Sequence, residues 1–281
     1  MNPKAAFAIL RPLNCAMIGF AVIVGEFVSK PAHISLPQSA FGFLTGFFVC
    51  AYSMVVNDVY DVEVDKVNEP DRPIPSGKIT IEEGYRFSYA LLLAGLAFSV
   101  LSLNLVAVAI AALYALLSWL YNSRAKKAGL AGNLIVASSL AIPFVYGGVV
   151  AGGGIFSSLL LMMAFTAFFA GVGREVVKAM ADVEGDKKRG VRSIAMVRGM
   201  GAAADVGAGL FLLAVVTSWL PLVLRLANAI YLFGVAVPDV IFVYLAVSIV
   251  REHDEKNAHR VKTVALLGML AGLIVFIGGA V

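Results

Sequence analysis

The sequence predicts an all-α fold, a polytopic membrane protein built as a bundle of nine transmembrane helices. Three observations lead there. Hydrophobic side chains make up 60% of the 281 residues and charged ones only 14%. With a mean hydropathy of +0.89, a water-soluble domain of this size could not hide the apolar surface. The apolar residues also fall in runs long enough to cross a bilayer, separated by joints that alternate in charge.

In chain order, the predicted spans are 12–29, 39–58, 83–102, 104–121, 130–151, 155–178, 202–222, 229–250 and 260–280. Pro12 suits the first turn of span one. Lys4 and Arg11 ahead of an apolar run imitate a secretory signal, but no small-x-small cleavage site introduces a soluble domain. The run therefore reads as a helix that stays in the membrane. The joints near Asn104 and at Gly152, Gly153 and Gly154 are short and uncharged. Those at 59–82, 122–129, 179–201 and 251–259 are long or charged.

With the N-terminus in the cytoplasm, 20 of the 22 Lys and Arg residues fall on the cytoplasmic side, and only Lys30 and Arg225 lie outside. This bias orients the chain in the cell membrane, and an odd number of spans then puts the C-terminus outside. Residues 1–281 read as a single domain, since no low-complexity linker divides them. Cys15 and Cys50 lie inside apolar runs, without disulfide or zinc spacing, and read as small core residues.

Two acidic clusters carry the chemistry, each where a long apolar run leaves the bilayer. The first runs from Asn57 to Asp65. Read as a helical extension of span two, it places Asn57, Asp61 and Asp65 on one face, within an arc of about 80°. Asp58 points away and supports the others or faces another helix. The second cluster puts Glu175, Lys178, Asp182 and Asp186 on one face after span six, with Gly185 as a potential helix breaker. Carboxylates at such a depth need a cation. Stacked oxygen donors suit Mg²⁺, which shares its shell with phosphates. The alternative for each cluster is a solvated acidic helix end.

Cationic and polar side chains surround the two clusters. Pro70, Pro73 and Pro75 stiffen the loop holding Arg72, whose guanidinium suits a pair of phosphate oxygens. The segment from Tyr121 to Lys127 adds Arg124, Lys126 and Lys127. Asn14 is a polar residue just inside span one, suited to a ligand or to a bond between helices. Asp239, beside Pro238, could satisfy a kink or a neighbouring helix, and Glu26 and Lys30 form an i,i+4 pair. No zinc spacing, phosphate-binding loop, nucleophile elbow or nucleic-acid module is present, and nothing signals an obligatory protein partner.

At these residues the chain resembles the UbiA-type intramembrane prenyltransferases. The matching signatures are N-D-x-x-D-x-x-x-D from Asn57 to Asp65, R-P-I-P-S-G from Arg72 to Gly77, and an acid followed by D-x-x-x-D at Glu175, Asp182 and Asp186. The details at Arg11 to Cys15, Tyr121 and Asn122 with Lys126, and Arg174 to Lys178 leading into Asp182 to Asp186 are similar to the archaeal branch that makes digeranylgeranylglyceryl phosphate. The chain departs from the common Y-x-x-x-K spacing, because position 125 is Ala and Lys126 comes one residue later. Quinone-pathway relatives tend to carry Asp and Tyr where this chain has Glu175 and Lys178.

The resemblance implies a helical bundle around a central cavity open toward the lipid. It implies transfer of a geranylgeranyl group from its diphosphate to the hydroxyl of geranylgeranylglyceryl phosphate, a membrane lipid. Asn57, Asp61, Asp65, Asp182 and Asp186 would then hold Mg²⁺, with Asp61 and Asp182 central to catalysis. Asn14, Arg72, Tyr121, Lys126, Arg174, Glu175 and Lys178 would bind the isoprenyl diphosphate and the lipid acceptor. Two other readings stand beside this one: the same chemistry on an aromatic acceptor in quinone biosynthesis, and a cation-coupled transporter. Against the transporter, the acids lie at one membrane face rather than the midplane.

Overall fold

The computed structural model describes residues 2–29, 35–152 and 157–279. Among them all regular structure is helical. Among the described residues, nine helices are long and apolar enough to cross a membrane. They are α2 (Pro12–Ser29), α3 (Leu36–Tyr60), α5 (Ile81–Leu101), α6 (Leu105–Ser123), α7 (Leu130–Val150), α8 (Ser158–Ala181), α10 (Ile194–Val223), α11 (Ala229–Arg251) and α12 (Glu255–Gly279). Three shorter helices, α1 (Pro3–Leu10), α4 (Val62–Asn68) and α9 (Val183–Arg189), lie at the end of the bundle that carries the acidic clusters.

The predicted spans match these helices to within a few residues, apart from the start of the seventh. There α10 includes Gly199, whose backbone (φ 87, ψ 166) is not helical. The helix proper therefore begins after a glycine hinge. Lys30, Gly153 and Gly154 lie outside the described residues, and with them the predicted Glu26–Lys30 pair. Glu26 itself is buried and accepts a hydrogen bond from the Ser39 hydroxyl.

The helices pack around a central space, with α12 set against both α8 and α2 and with α3 and α6 contributing to the lining. α2 packs on α3 and α7, α7 on α8, α8 on α10, α10 on α11, α11 on α12, and α12 returns to α2. α5 and α6 brace α3 from the side. Lipid tails are as apolar as the side chains, so burial contributes little to this assembly, and close backbone approach with van der Waals contact must hold it. The α2–α7 crossing shows how. A Cβ added to Gly25 would lie 2.0 Å from the Phe144 carbonyl oxygen, and one added to Gly147 would lie 1.9 Å from that of Val22. Only glycine lets the two backbones meet there.

Both acidic clusters interrupt their helices, and at equivalent places. α3 ends at Asp61 (φ −94, ψ 2) and α4 starts after it; α8 ends at Asp182 (φ −112, ψ 20) and α9 starts after it. The expected straight extension of span two is thus corrected to a bend at Asp61. The second break falls at Asp182, while Gly185 sits buried inside α9. The backbone bonds survive each bend. Asp61 N–H donates to Asn57 O at 3.0 Å and Asp65 N–H to Asp61 O at 2.8 Å; Asp182 N–H donates to Lys178 O at 3.1 Å and Asp186 N–H to Asp182 O at 2.9 Å. α4 and α9 then pack against each other, which brings the two motifs together.

Replacing Gly147 by Leu should cost at least about 1–3 kcal/mol through overpacking. This is measurable as a lower thermal midpoint in detergent. Gly201→Ala, where an added Cβ meets nothing within 4 Å, should leave the midpoint unchanged.

Candidate active site

A cavity of about 530 Å³ fills the centre of the bundle. Arg11, Asn14, Asn57, Arg72, Tyr121, Arg174, Glu175, Lys178 and Lys262 line its acidic end. Further in, the wall becomes apolar, with Phe144, Phe242, Leu273 and Phe276. Residues 262 and 276 of α12 both face it, so it follows that helix for about 21 Å of axis. The volume lies within the range typical of small-molecule sites.

Six of the seven side chains expected to bind substrate, all but Lys126, therefore line this one cavity. Of the expected metal ligands only Asn57 lines the cavity directly. The four aspartates lie behind or beside the wall, and ion pairs join Asp65 and Asp182 to it. Arg72, on the wall, bonds Asp65 at 2.6 Å, and Lys262, also on the wall, bonds Asp182 at 3.1 Å. Asp61 pairs with Lys126, whose ammonium sits 5.8 Å from the centre of the Tyr121 ring. Asp186 is half-buried on α9.

Local chain geometry explains how Lys126 reaches this place. α6 ends at Ser123, Arg124 takes a non-helical conformation (φ −140, ψ −51), and residues Ala125–Ala128 form a 3₁₀ turn. This tighter winding absorbs the extra residue between Tyr121 and Lys126. The loop is then fastened to the segment after α9. Gly129 adopts φ +60, and a Cβ there would lie 2.0 Å from the Arg192 carbonyl oxygen; Arg192 N–H donates to Lys127 O at 3.3 Å.

Asp58, 1% exposed, receives Arg11 and lies 3.7 Å from Arg72. It thus supports the first motif from behind, gathering the N-terminal segment and the proline-stiffened loop. Arg11 has a left-handed backbone (φ 50) at the junction of α1 and α2, a strained conformation for a non-glycine residue. Burial opposes the charge on Arg72, but Asp65 and Asp58 beside it hold its pKa above the usual value. The loop carrying it is anchored by buried Ile74 and Ile79 and by the Ser76 hydroxyl donating to Arg72 O at 2.7 Å.

Asn57 Nδ2 donates to Asn122 Oδ1 at 2.8 Å, and Asn122 is fixed in turn through Ser118 O. On α8, buried Glu175 accepts from Arg174 at 2.9 Å and Lys178 at 3.2 Å. Arg174 Nε also donates to Lys262 O at 3.3 Å. Sequence reasoning missed Lys262, the bond between Asn122 and Asn57, and the role of Arg11. Lys262 sits in the last span, where the run of cations that starts at Arg251 looks purely topogenic. Cys50, expected in the core, is only half-buried and lines the cavity, whereas Cys15 is fully buried. Asp239 also lines it and is satisfied by Ser218 and by Trp219 Nε1 at 2.8 Å.

Among the described residues no three His, Cys, Asp or Glu side chains lie close enough together to hold a metal ion by themselves. Cations stand among the carboxylates. The donors are nonetheless all hard oxygens, the set Mg²⁺ prefers, and it commonly completes its shell with water and phosphate.

Nine spanning helices enclosing a cavity with paired acidic motifs at one end define an intramembrane prenyltransferase, and residues 18–275 match the UbiA prenyltransferase family. The chain belongs to that family. It is 35% identical to the digeranylgeranylglyceryl phosphate synthase of Methanocaldococcus jannaschii, over 99% of this chain and 96% of that one. It is also similar to a solved digeranylgeranylglyceryl phosphate synthase (TM-score 0.78, 34% identity, 99% and 98% of the two chains). A UbiA homologue from Archaeoglobus fulgidus bound to GPP and Mg²⁺ shares the fold (TM-score 0.69, 19% identity, 97% and 99%).

Asp58→Ala would leave Arg11 and Arg72 without their shared counter-charge. A fully buried pair broken this way costs about 3–5 kcal/mol. The two guanidinium side chains are 31% and 29% exposed, and screening reduces the expected loss to about 2 kcal/mol. Thermal unfolding should report it, while Lys66→Ala, which removes an exposed pair with Glu63, should have no measurable effect.

Proposed function

We propose that this chain moves a geranylgeranyl group from geranylgeranyl diphosphate to the free hydroxyl of geranylgeranylglyceryl phosphate, in archaeal ether-lipid synthesis. The observation that carries this reading is the form of the cavity. Its end is lined by cations next to two carboxylate motifs, and beyond that end most of its lining is apolar, with Thr166, Ser218 and Asp239 among the polar exceptions. Near full-length similarity to digeranylgeranylglyceryl phosphate synthases supports the choice of acceptor.

In this proposal Asn57, Asp61, Asp65, Asp182 and Asp186 hold Mg²⁺, which neutralises the diphosphate when bound and makes it a better leaving group. Asn57 offers its carbonyl oxygen, because Asn122 takes its amide nitrogen. Arg72 and Lys126 exchange part of their contact with Asp65 and Asp61 for phosphate oxygens. The C–O bond of the donor breaks, with its electron pair leaving on the diphosphate. The acceptor hydroxyl oxygen bonds to the allylic carbon, and its proton passes to an oxygen of the departing diphosphate. The apolar wall keeps water from competing for that carbon. Arg174 and Lys178, steadied by Glu175, hold the acceptor's phosphate near the donor. Asn14 and Tyr121 complete the polar wall.

The proposed orientation puts the N-terminus and this site in the cytoplasm and the C-terminus outside. In a background lacking Cys15 and Cys50, Leu103→Cys should react with an impermeant thiol reagent from outside, and Lys187→Cys only from within. Reversed labelling would invert the topology.

Exhaustive EDTA treatment should abolish turnover, and added Mg²⁺ should restore it. Asp61→Ala and Asp182→Ala should each lower kcat by orders of magnitude, equivalent to several kcal/mol of transition-state stabilisation. Lys178→Met should raise KM for the phosphate-bearing acceptor more than KM for the donor. Prenylation of 4-hydroxybenzoate but not of geranylgeranylglyceryl phosphate by the unaltered protein would reject the acceptor assignment.

A further inference from the structure

Lys262 is a charged residue of the site that lies outside both acidic motifs, on the last spanning helix. It projects from α12 onto the cavity wall, its side chain is only 20% exposed, and its one ion-pair partner among the described residues is Asp182 at 3.1 Å. Its own carbonyl accepts from Arg174 Nε at 3.3 Å, so the two cations are tied in position. Together with Lys178 they form a patch of three cations from two helices. Two carboxylates face that patch. Glu175, 4% exposed, is fully engaged by Arg174 and Lys178. Asp182 is the more exposed of the two, and among the described residues its one cation is Lys262.

A charge argument follows. An ammonium on a poorly solvated wall needs an anion. While Asp182 is free to pair, that need is met. Once Asp182 is drawn to the hard cation assigned above, Lys262 is left facing the cavity without a counter-charge, beside Arg174 and Lys178. On the opposite wall Arg72 and Arg11 keep buried Asp58 between them. Lys126 and Arg72, which give up part of their contact with Asp61 and Asp65, are met by the diphosphate in the reaction proposed above, so the positive charge left unmet lies on the α8–α12 side.

We infer that Lys262 is a phosphate ligand for the anionic acceptor, exchanged from Asp182 when the metal and diphosphate bind. This rests on the transfer reaction proposed above and deepens it. The exchange couples the two substrates: filling the diphosphate subsite strengthens binding at the acceptor subsite, and linkage makes the effect reciprocal.

The test uses the full-length protein in detergent and a geranylgeranylglyceryl phosphate analogue whose hydroxyl is methylated, so that it binds but cannot react. Its dissociation constant is measured alone and with Mg²⁺ plus inorganic pyrophosphate. The unaltered protein should bind about tenfold more tightly with both present, a coupling of usual size. Lys262→Met should show no such gain, and Lys262→Arg should recover it. In turnover, Lys262→Met should raise KM for the phosphate-bearing acceptor about tenfold and change KM for geranylgeranyl diphosphate less than about twofold.

An unchanged thermal midpoint in Lys262→Met would show that the fold survives. If that variant has lost its fold, Lys262→Gln and Lys262→Arg are compared instead: Gln should lose the gain and Arg keep it. Equal coupling in the unaltered and Met or Gln proteins, or no coupling in the unaltered protein, would overturn the assignment. A larger loss of affinity for pyrophosphate than for the analogue would move Lys262 to the donor. Failure of the unaltered protein to prenylate geranylgeranylglyceryl phosphate at all would instead remove the underlying reaction.

Discussion

Carboxylates buried at the edge of a bilayer must be neutralised, and this requirement organises the acidic end of the molecule. Each of those whose ion pairs are described meets a cation, and most of the cations come from another element. Asp58 is met from the N-terminal segment and the proline loop, Asp61 from the turn after α6, Asp65 from the proline loop, and Asp182 from α12. Glu175 alone is served from its own helix. The ion pairs thus join segments from both ends of the chain. Their value lies less in net stability, which desolvation largely offsets, than in specifying one arrangement.

The bends at Asp61 and Asp182 serve the same end. A straight helix would carry Asp65 and Asp186 onward along their axes, away from one another. The break turns α4 and α9 across the end of the bundle, where they meet. Because the backbone bonds continue through each bend, it exposes few unpaired polar groups at a depth where they are costly. The two bends match, so the chain is a pair of related halves at its functional end even though it carries no clean sequence repeat.

Much of this was legible in the sequence. Runs of apolar residues located the spans because bilayer thickness sets a length that few other constraints impose. The regular acid spacing located the motifs, and the prolines around Arg72 marked a rigid loop. What stayed hidden depended on contacts between distant segments. Lys262 looks like one more positive-inside charge until α12 is seen beside α8. Asn122 looks like a loop residue until Asn57 is seen across from it. The displaced Lys126 looked like a departure from the pattern, and only the 3₁₀ turn shows how the register is recovered. The bends left no mark, since Asp61 and Asp182 follow ordinary helical sequence without a proline or glycine beside the break.

The clasp between Gly129 and Arg192 has a consequence for how such a chain can vary. It binds the turn that neutralises the first motif to the strand of backbone leaving the second. A residue gained or lost in either loop has to be absorbed within that loop, as the 3₁₀ turn does before Lys126, because an unabsorbed shift in one moves the cation away from Asp61 and in the other displaces α9. The two halves therefore cannot be exchanged separately between relatives. A chimera joined within either loop would inherit a mismatched clasp, whereas one joined at the opposite end of the bundle, near Asn104, would leave it whole. Recombination among these chains should be tolerated on one side of the membrane and penalised on the other.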